Sequence, residues 1–150
     1  MNHKDTIDEK KNEYGCTLFI DTNDDHPEII TKLSGLVASE MILKGSNRLT
    51  PVTKEVIVGK FNENNLWIFR IEKEYGSIGF YLNNPLEKML DILDSQQLIL
   101  IDILQNYPKN HILCHAYFYE TNPYFTLDKT LIRRLSSYEI AVEFDMYCLS

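Results

Sequence analysis

The sequence predicts an α+β domain, with one mainly antiparallel sheet of four to six strands and helices packed on one face. Three observations carry that expectation. Segments in which apolar and polar residues alternate recur at 14–21, 66–72, 112–120 and 139–148. Helix-start signals at Asp25, Asn84 and Thr126 precede apolar residues at helical spacing. Connections between the two kinds of segment are short, and 150 residues is the size of one ordinary domain.

The first strand, 14–21, puts Cys16, Leu18 and Ile20 on one side. Asp25-His26-Pro27-Glu28 then opens a helix. Asp25 accepts from free backbone N–H groups, Pro27 has none to satisfy, and Glu28 sits three residues on. Ile29, Ile30 and Leu33 face inward, and the helix stops near Gly35. Lys44-Gly45-Ser46-Asn47 is a turn, 52–58 has the β-branched content of a strand, and 62–65 is a second turn before the strand around Trp67. Residues 77–82 pair with that strand as a hairpin across 74–76.

Asn84-Pro85-Leu86-Glu87 repeats the helix-start pattern, and Leu86, Met89, Leu90, Leu93, Gln97, Leu100 and Leu104 follow on one stripe. One long helix is therefore expected, ending before Pro108. After the strand 112–120, Thr126 caps a short helix bearing Leu127, Leu131, Ile132 and Leu135, and the last strand is 139–148. The order β-α-β-β-α-β-α-β, with room for one more short strand, matches a ferredoxin-like sandwich with an extra helix. Residues 1–13 are expected to be a flexible N-terminal tail and 14–150 a single domain.

Hydrophobic residues make up 44% of the chain and charged residues 25%, the balance of a folded globular protein. The longest nearly uncharged apolar run, 96–101, is far short of the roughly 20 residues a bilayer span needs. The first residues carry both charge signs and no apolar stretch, unlike a secretory signal. Cys16, Cys114 and Cys148 are odd in number and each lies in an apolar alternating segment, which points to buried free thiols and a cytoplasmic location. Net charge is −7 and the pI is near 5.0. Such a surface repels phosphate backbones, so neither nucleic acid nor an anionic membrane is an expected partner. The charge serves solubility, or it matches a basic partner.

No catalytic centre emerges from the motifs. Gly76-Ser77-Ile78-Gly79 lacks the spacing and the lysine of a phosphate loop, and no nucleophile elbow, Cys-x-x-Cys or His-Glu-x-x-His occurs. His111, Cys114 and His115 form the only tight cluster of soft ligands. Zinc needs four converging side chains, whereas strand alternation puts both histidines on one face and Cys114 on the other. No metal or cofactor is therefore expected. A nucleophile pair of Cys114 with His26 meets the same objection, because a thiol among Ile112, Ala116 and Phe118 is inert. Asp21, Asp24, Asp25 and Glu28 crowd four carboxylates into eight residues without calcium-loop spacing. Helix capping explains them without a metal, and an acidic contact patch stays open.

On the last strand Val142, Phe144, Met146 and Cys148 are expected to face the core, and Glu139, Glu143, Asp145 and Tyr147 to face away. His111, His115, Tyr117 and Tyr119 lie opposite the apolar set of the strand before it. If the two strands are neighbours, the open face of the sheet is acidic and aromatic. RNA-binding sheets also carry aromatics, but with basic residues and an aromatic motif that this chain lacks. Tyrosine among carboxylates suits recognition of a basic protein, and equally suits a half-solvated face with no partner.

The landmarks recur in a characteristic order. They are Leu18 to Asp21, Asp24-Asp25-His26-Pro27-Glu28-Ile29-Ile30, Leu33-Ser34-Gly35-Leu36, Lys44-Gly45 and Leu66-Trp67. The leucine-rich helix 86–104, the short helix 131–135 and Val142-Glu143-Phe144-Asp145-Met146-Tyr147 complete the series. In order and spacing, over 16–147, they resemble the bacterial family catalogued as domain of unknown function 4279. The chain departs from it in lacking a basic-aromatic pair before the Lys-Gly turn and in a longer 77–82 segment. The resemblance implies no enzyme chemistry. It implies kinship with immunity proteins, the antidotes encoded beside secreted bacterial toxins, including those of contact-dependent inhibition systems.

The expectation is thus a non-enzymatic, cytoplasmic immunity-type protein that binds a cognate, basic toxin domain. Its partner-binding residues would be the acidic turn, Asp24 and Asp25, or the strand face, Glu143, Asp145 and Tyr147. The alternative is a small-ligand binding or sensing domain that uses the open sheet face or the surroundings of Trp67. An enzyme centred on His115 comes third.

Overall fold

The computed structural model describes residues 12–76, 83–119 and 125–149. Its elements are β1 (Asn12–Asp21), α1 (Glu28–Ser34), β2 (Glu40–Ile42), β3 (Asn47–Leu49), β4 (Val56–Phe61), β5 (Leu66–Arg70) and β6 (Glu74–Gly76), then α2 (Asn83–Asp94), α3 (Gln97–Asn106), β7 (Asn110–Phe118), α4 (Lys129–Ser136) and β8 (Ala141–Cys148). Five strands lie in the order β2-β5-β1-β7-β8, and β6 pairs with the start of β1. All pairings are antiparallel except β7 with β8, which run parallel around the crossover helix α4. The four strands β2-β5-β1-β7, with their helical connections, have the ferredoxin-like order. An inserted hairpin, β3–β4, forms a second, two-stranded sheet.

Strand alternation sends Cys16, Leu18 and Ile20 of β1, Trp67 of β5, and Ile112 and Cys114 of β7 to one side. There they meet Ile30 of α1, Leu90 and Leu93 of α2, Leu100 and Ile103 of α3, and Leu131 and Leu135 of α4. The helices therefore share one face of the sheet. Arg134 locks α4 to α2 through Asp91 (2.6 Å) and Asp94 (3.0 Å), and the Tyr138 hydroxyl also donates to Asp94. Among the described residues no helix is long and apolar enough to cross a membrane.

Several local expectations are corrected. β1 starts at Asn12, so Asn12 and Glu13 belong to the sheet rather than to a tail. Residues 1–11, and the expected strand 77–82, lie outside the described residues. The expected turn at 74–76 is the strand β6, whose Glu74 pairs with Tyr14. The strand expected at 52–58 is shifted to Val56–Phe61, because Pro51, Val52 and Thr53 make the hairpin turn. Asp25 does not cap α1. The Glu28 N–H donates to His26 Nδ1 at 3.2 Å, and the Asp25 carboxylate is engaged elsewhere. Gly35 does end α1, with φ at 75° and its N–H on the Thr31 carbonyl.

Leu33 is 50% exposed, because Ile30 and Ser34 are the residues this short helix turns inward. The long helix is two helices. The N–H groups of Ser95 and Gln96 turn back to the carbonyls of Ile92 and Leu93, three residues away. This break lets α2 lie against β1 while α3 packs on α1. The cap of α4 is Asp128, which accepts from the Leu131 N–H at 2.8 Å, and not Thr126. On β8 only Val142 packs on the core, while Phe144 and Met146 are 40% and 52% exposed and Cys148 is exposed too. The parity is as expected, but β8 is the outermost strand and the helix layer ends before covering it.

Candidate functional site

The face of the sheet away from the helices has two halves. Over β2 and β5 the β3–β4 hairpin folds across it and helps to bury Ile68. Over β1, β7 and β8 it carries the acidic and aromatic residues expected from strand parity.

Register assembles that second half. Gly15 and Glu13 of β1 lie opposite His115 and Tyr117 of β7, and these lie beside Asp145 and Tyr147 of β8. The His115 imidazole closes over Gly15 with its Cε1 foremost: a Cβ there would sit 2.0 Å from that atom. Only glycine permits so close an approach. His115 Nε2 is buried with no hydrogen-bond partner among the described residues. Burial lowers the His115 pKa, Lys73 adds to that, and Glu13 and Asp145 oppose it. Lys73 is itself paired with the half-buried Glu13 at 2.7 Å.

Next to His115 (ring centroids 5.5 Å apart) stands Tyr117, which stacks on Tyr147 at 5.4 Å. The Tyr147 hydroxyl is bonded to Asp145, which raises its pKa. Farther along, Phe19 stacks on His111 at 4.9 Å, and His111 Nε2 lies 3.8 Å from the exposed Glu143 carboxylate. The structure thus brings Glu143, Asp145 and Tyr147 together on one face, with two histidines and a second tyrosine.

The acidic turn is a different feature. Asp25 accepts from the Tyr107 hydroxyl at 2.6 Å, and that bond raises the Tyr107 pKa to about 12. Asp24 pairs with Lys44 at 3.4 Å, while Asp21 accepts from the Asn23 N–H. Asn65 stitches the turn to its neighbours, donating to the Asn23 carbonyl and accepting from the Lys44 N–H, each at 2.8 Å. Asp24 and Asp25 therefore brace the end of the sheet. A cleft of about 330 Å³, lined by Asp21, Lys109, Asn110, His111 and Glu143, lies between this turn and the strand face.

Trp67 is fully buried on the helix face and donates to Thr31 Oγ1 at 3.0 Å. Cys114 lies on the helix side opposite Cys16, away from His111 and His115 and from His26 at the start of α1. Contact with the Cys114 sulfur and burial push the Cys16 thiol pKa far up, which makes it unreactive. Gly15, Glu13 and Lys73 were not among the expected site residues. A glycine inside an alternating strand was the available signal.

The pH dependence of stability follows from His115. Its folded pKa is depressed, so its contribution is complete above the unfolded value of about 6.5 and is lost as pH falls from there through the lower folded value. The urea midpoint of the protein should fall between pH 8 and pH 5.5, and His115→Phe should flatten that fall. Equal slopes for both proteins would show that His115 is not the group responsible.

The family profile "Domain of unknown function (DUF4279)" matches residues 11–149. Searches among curated proteins and among solved structures find no match. The profile covers both the sheet and its acidic, aromatic face, and the chain belongs to the DUF4279 family.

Proposed function

We propose that this protein is a non-enzymatic binding protein of the immunity type, which neutralises a cognate bacterial toxin by holding a basic toxin domain against the β1–β7–β8 face. The observation that supports it is the juxtaposition on that face of the stacked Tyr117–Tyr147 pair with the carboxylates of Asp145 and Glu143. Tyrosine rings supply rigid anchoring area, and carboxylates select a cationic partner and speed its approach. A net charge of −7 adds long-range attraction of the same sign. A cytoplasmic location fits the free, buried thiols of Cys16 and Cys114.

The reading predicts a toxin gene beside this one, and the test uses the toxin domain which that gene would encode. The doubly reversed variant Glu143→Lys/Asp145→Lys should associate with it roughly tenfold more slowly at low salt, the difference shrinking as salt is raised. Asp24→Lys/Asp25→Lys, at the end of the sheet, should have a smaller effect on the rate. Unchanged rates in both variants would move the interface elsewhere. Failure of the unaltered protein to bind or protect against that domain would remove the immunity reading itself.

A further inference from the structure

Between the hairpin and its half of the sheet face lies an open cavity of about 460 Å³, within the range of small-molecule sites. Its apolar lining includes Phe19 and Ile68 from the sheet and Leu49 from β3. Around these stand three cations, Arg48 of β3, Lys54 of the hairpin turn and Arg70 of β5. The one carboxylate in the lining, Glu40, is already taken by Arg70 at 2.7 Å. Arg48 and Lys54 have no ion-pair partner among the described residues. In a chain of net charge −7 this is a locally cationic hollow with an apolar lining.

The wall is built. Asn62 Nδ2 donates to Ser46 Oγ at 2.9 Å, and backbone bonds from Gly45 to Asn62 and from Asn62 to Ser46, each 2.8 Å, close the base of the hairpin. At its tip Lys54 is held in the left-handed region, φ 59°, where a non-glycine residue is uncommon. There its N–H bonds the Thr50 carbonyl, and the Glu55 N–H bonds Thr50 Oγ1 at 3.0 Å. Strained backbone of this kind recurs at ligand-binding positions.

We propose that this cavity binds a small amphipathic oxyanion, with its apolar body on Phe19 and Ile68 and its carboxylate or phosphate between Arg48 and Lys54. Charge-assisted bonds from arginine and lysine recognise both anions, and the apolar part of the lining, Phe19, Leu49 and Ile68, receives a hydrophobic body. The cavity adjoins the β1–β7–β8 face and shares Phe19 with it, but its cations stand on the hairpin and on β5, so binding of a small anion is tested without the toxin.

The probes are 3-phenylpropionate, phenyl phosphate, the neutral 3-phenylpropanamide and inorganic phosphate. At saturation, one or both aryl anions should raise Tm by roughly 2–5 °C, and the amide and inorganic phosphate should not. Which aryl anion acts at the lower concentration identifies the headgroup. In Arg48→Ala/Lys54→Ala, whose substitutions lie on exposed positions, the affinity should drop at least roughly tenfold. The Ile68 methyl resonances should move on binding in the unaltered protein only. No shift with either aryl anion, a shift with the amide or inorganic phosphate alone, or binding undiminished in the double variant would each overturn the proposal.

Discussion

Trp67→Ala is expected to destabilise the protein by about 3–5 kcal/mol, the range for removing a large aromatic side chain from a core. Trp67 is fully buried. In register it sits between Ile20 of β1 and Met41 of β2, and its ring lies parallel to Phe69 at 5.8 Å. Its Nε1–H reaches Thr31 of α1, so one side chain joins a central strand, an edge strand and a helix. Domains of this size hold about 5–15 kcal/mol in total, which leaves the variant close to unfolding. Trp67→Phe should lose less, because a ring still fills most of the space and the donor that disappears leaves only a hydroxyl oxygen, which can be solvated. Urea unfolding followed by circular dichroism measures both, since the only tryptophan fluorescence goes with the residue. A loss below about 1 kcal/mol for the alanine variant would contradict the placement of Trp67 at this junction.

The strands with the clearest alternation, around Leu18, Trp67 and Cys114, were legible because each buries one face completely. Periodicity reports which residues share a face and not what covers that face. Val142, Phe144 and Met146 therefore have the expected parity while two of them stay exposed, as β8 lies beyond the reach of the helices. The same limit explains Leu33, which falls on an apolar stripe of a helix too short to bury it. The break at Ser95 and Gln96 carries no glycine or proline. It is imposed by packing of α2 on β1 and of α3 on α1, contacts distant in sequence. β2 and β3 span three residues each, too few for alternation to register.

The site divides in the same way. Glu143, Asp145 and Tyr147 follow from parity on a single strand. Glu13 and Gly15 depend on the cross-strand register of β1 with β7, and Lys73 on its ion pair with Glu13, neither of which a single segment encodes. Asp25 was read as a helix cap because a cap is the local use of such a residue. Its actual partner, Tyr107, is 82 residues away.

Gly15→Ala should destabilise the protein by about 1–3 kcal/mol, the usual range for overpacking, although alanine is ordinarily the better residue in a strand. The added Cβ would lie 2.0 Å from His115 Cε1 and 2.7 Å from its Nε2, so the imidazole must leave its place. His115→Ala removes that obstacle together with an unpartnered buried nitrogen. In the double variant the alanine at 15 should become neutral or stabilising, giving a coupling between the two positions of roughly 1–3 kcal/mol in a double-mutant cycle. Additive effects would mean that the ring does not lie on Gly15. The displacement has a second consequence. An imidazole driven off Gly15 becomes more hydrated and nearer its ordinary pKa, so Gly15→Ala should also flatten the loss of stability between pH 8 and pH 5.5. Both readouts depend on one contact, and they link a strand glycine to the charge state of the face that carries Asp145, Tyr117 and Tyr147.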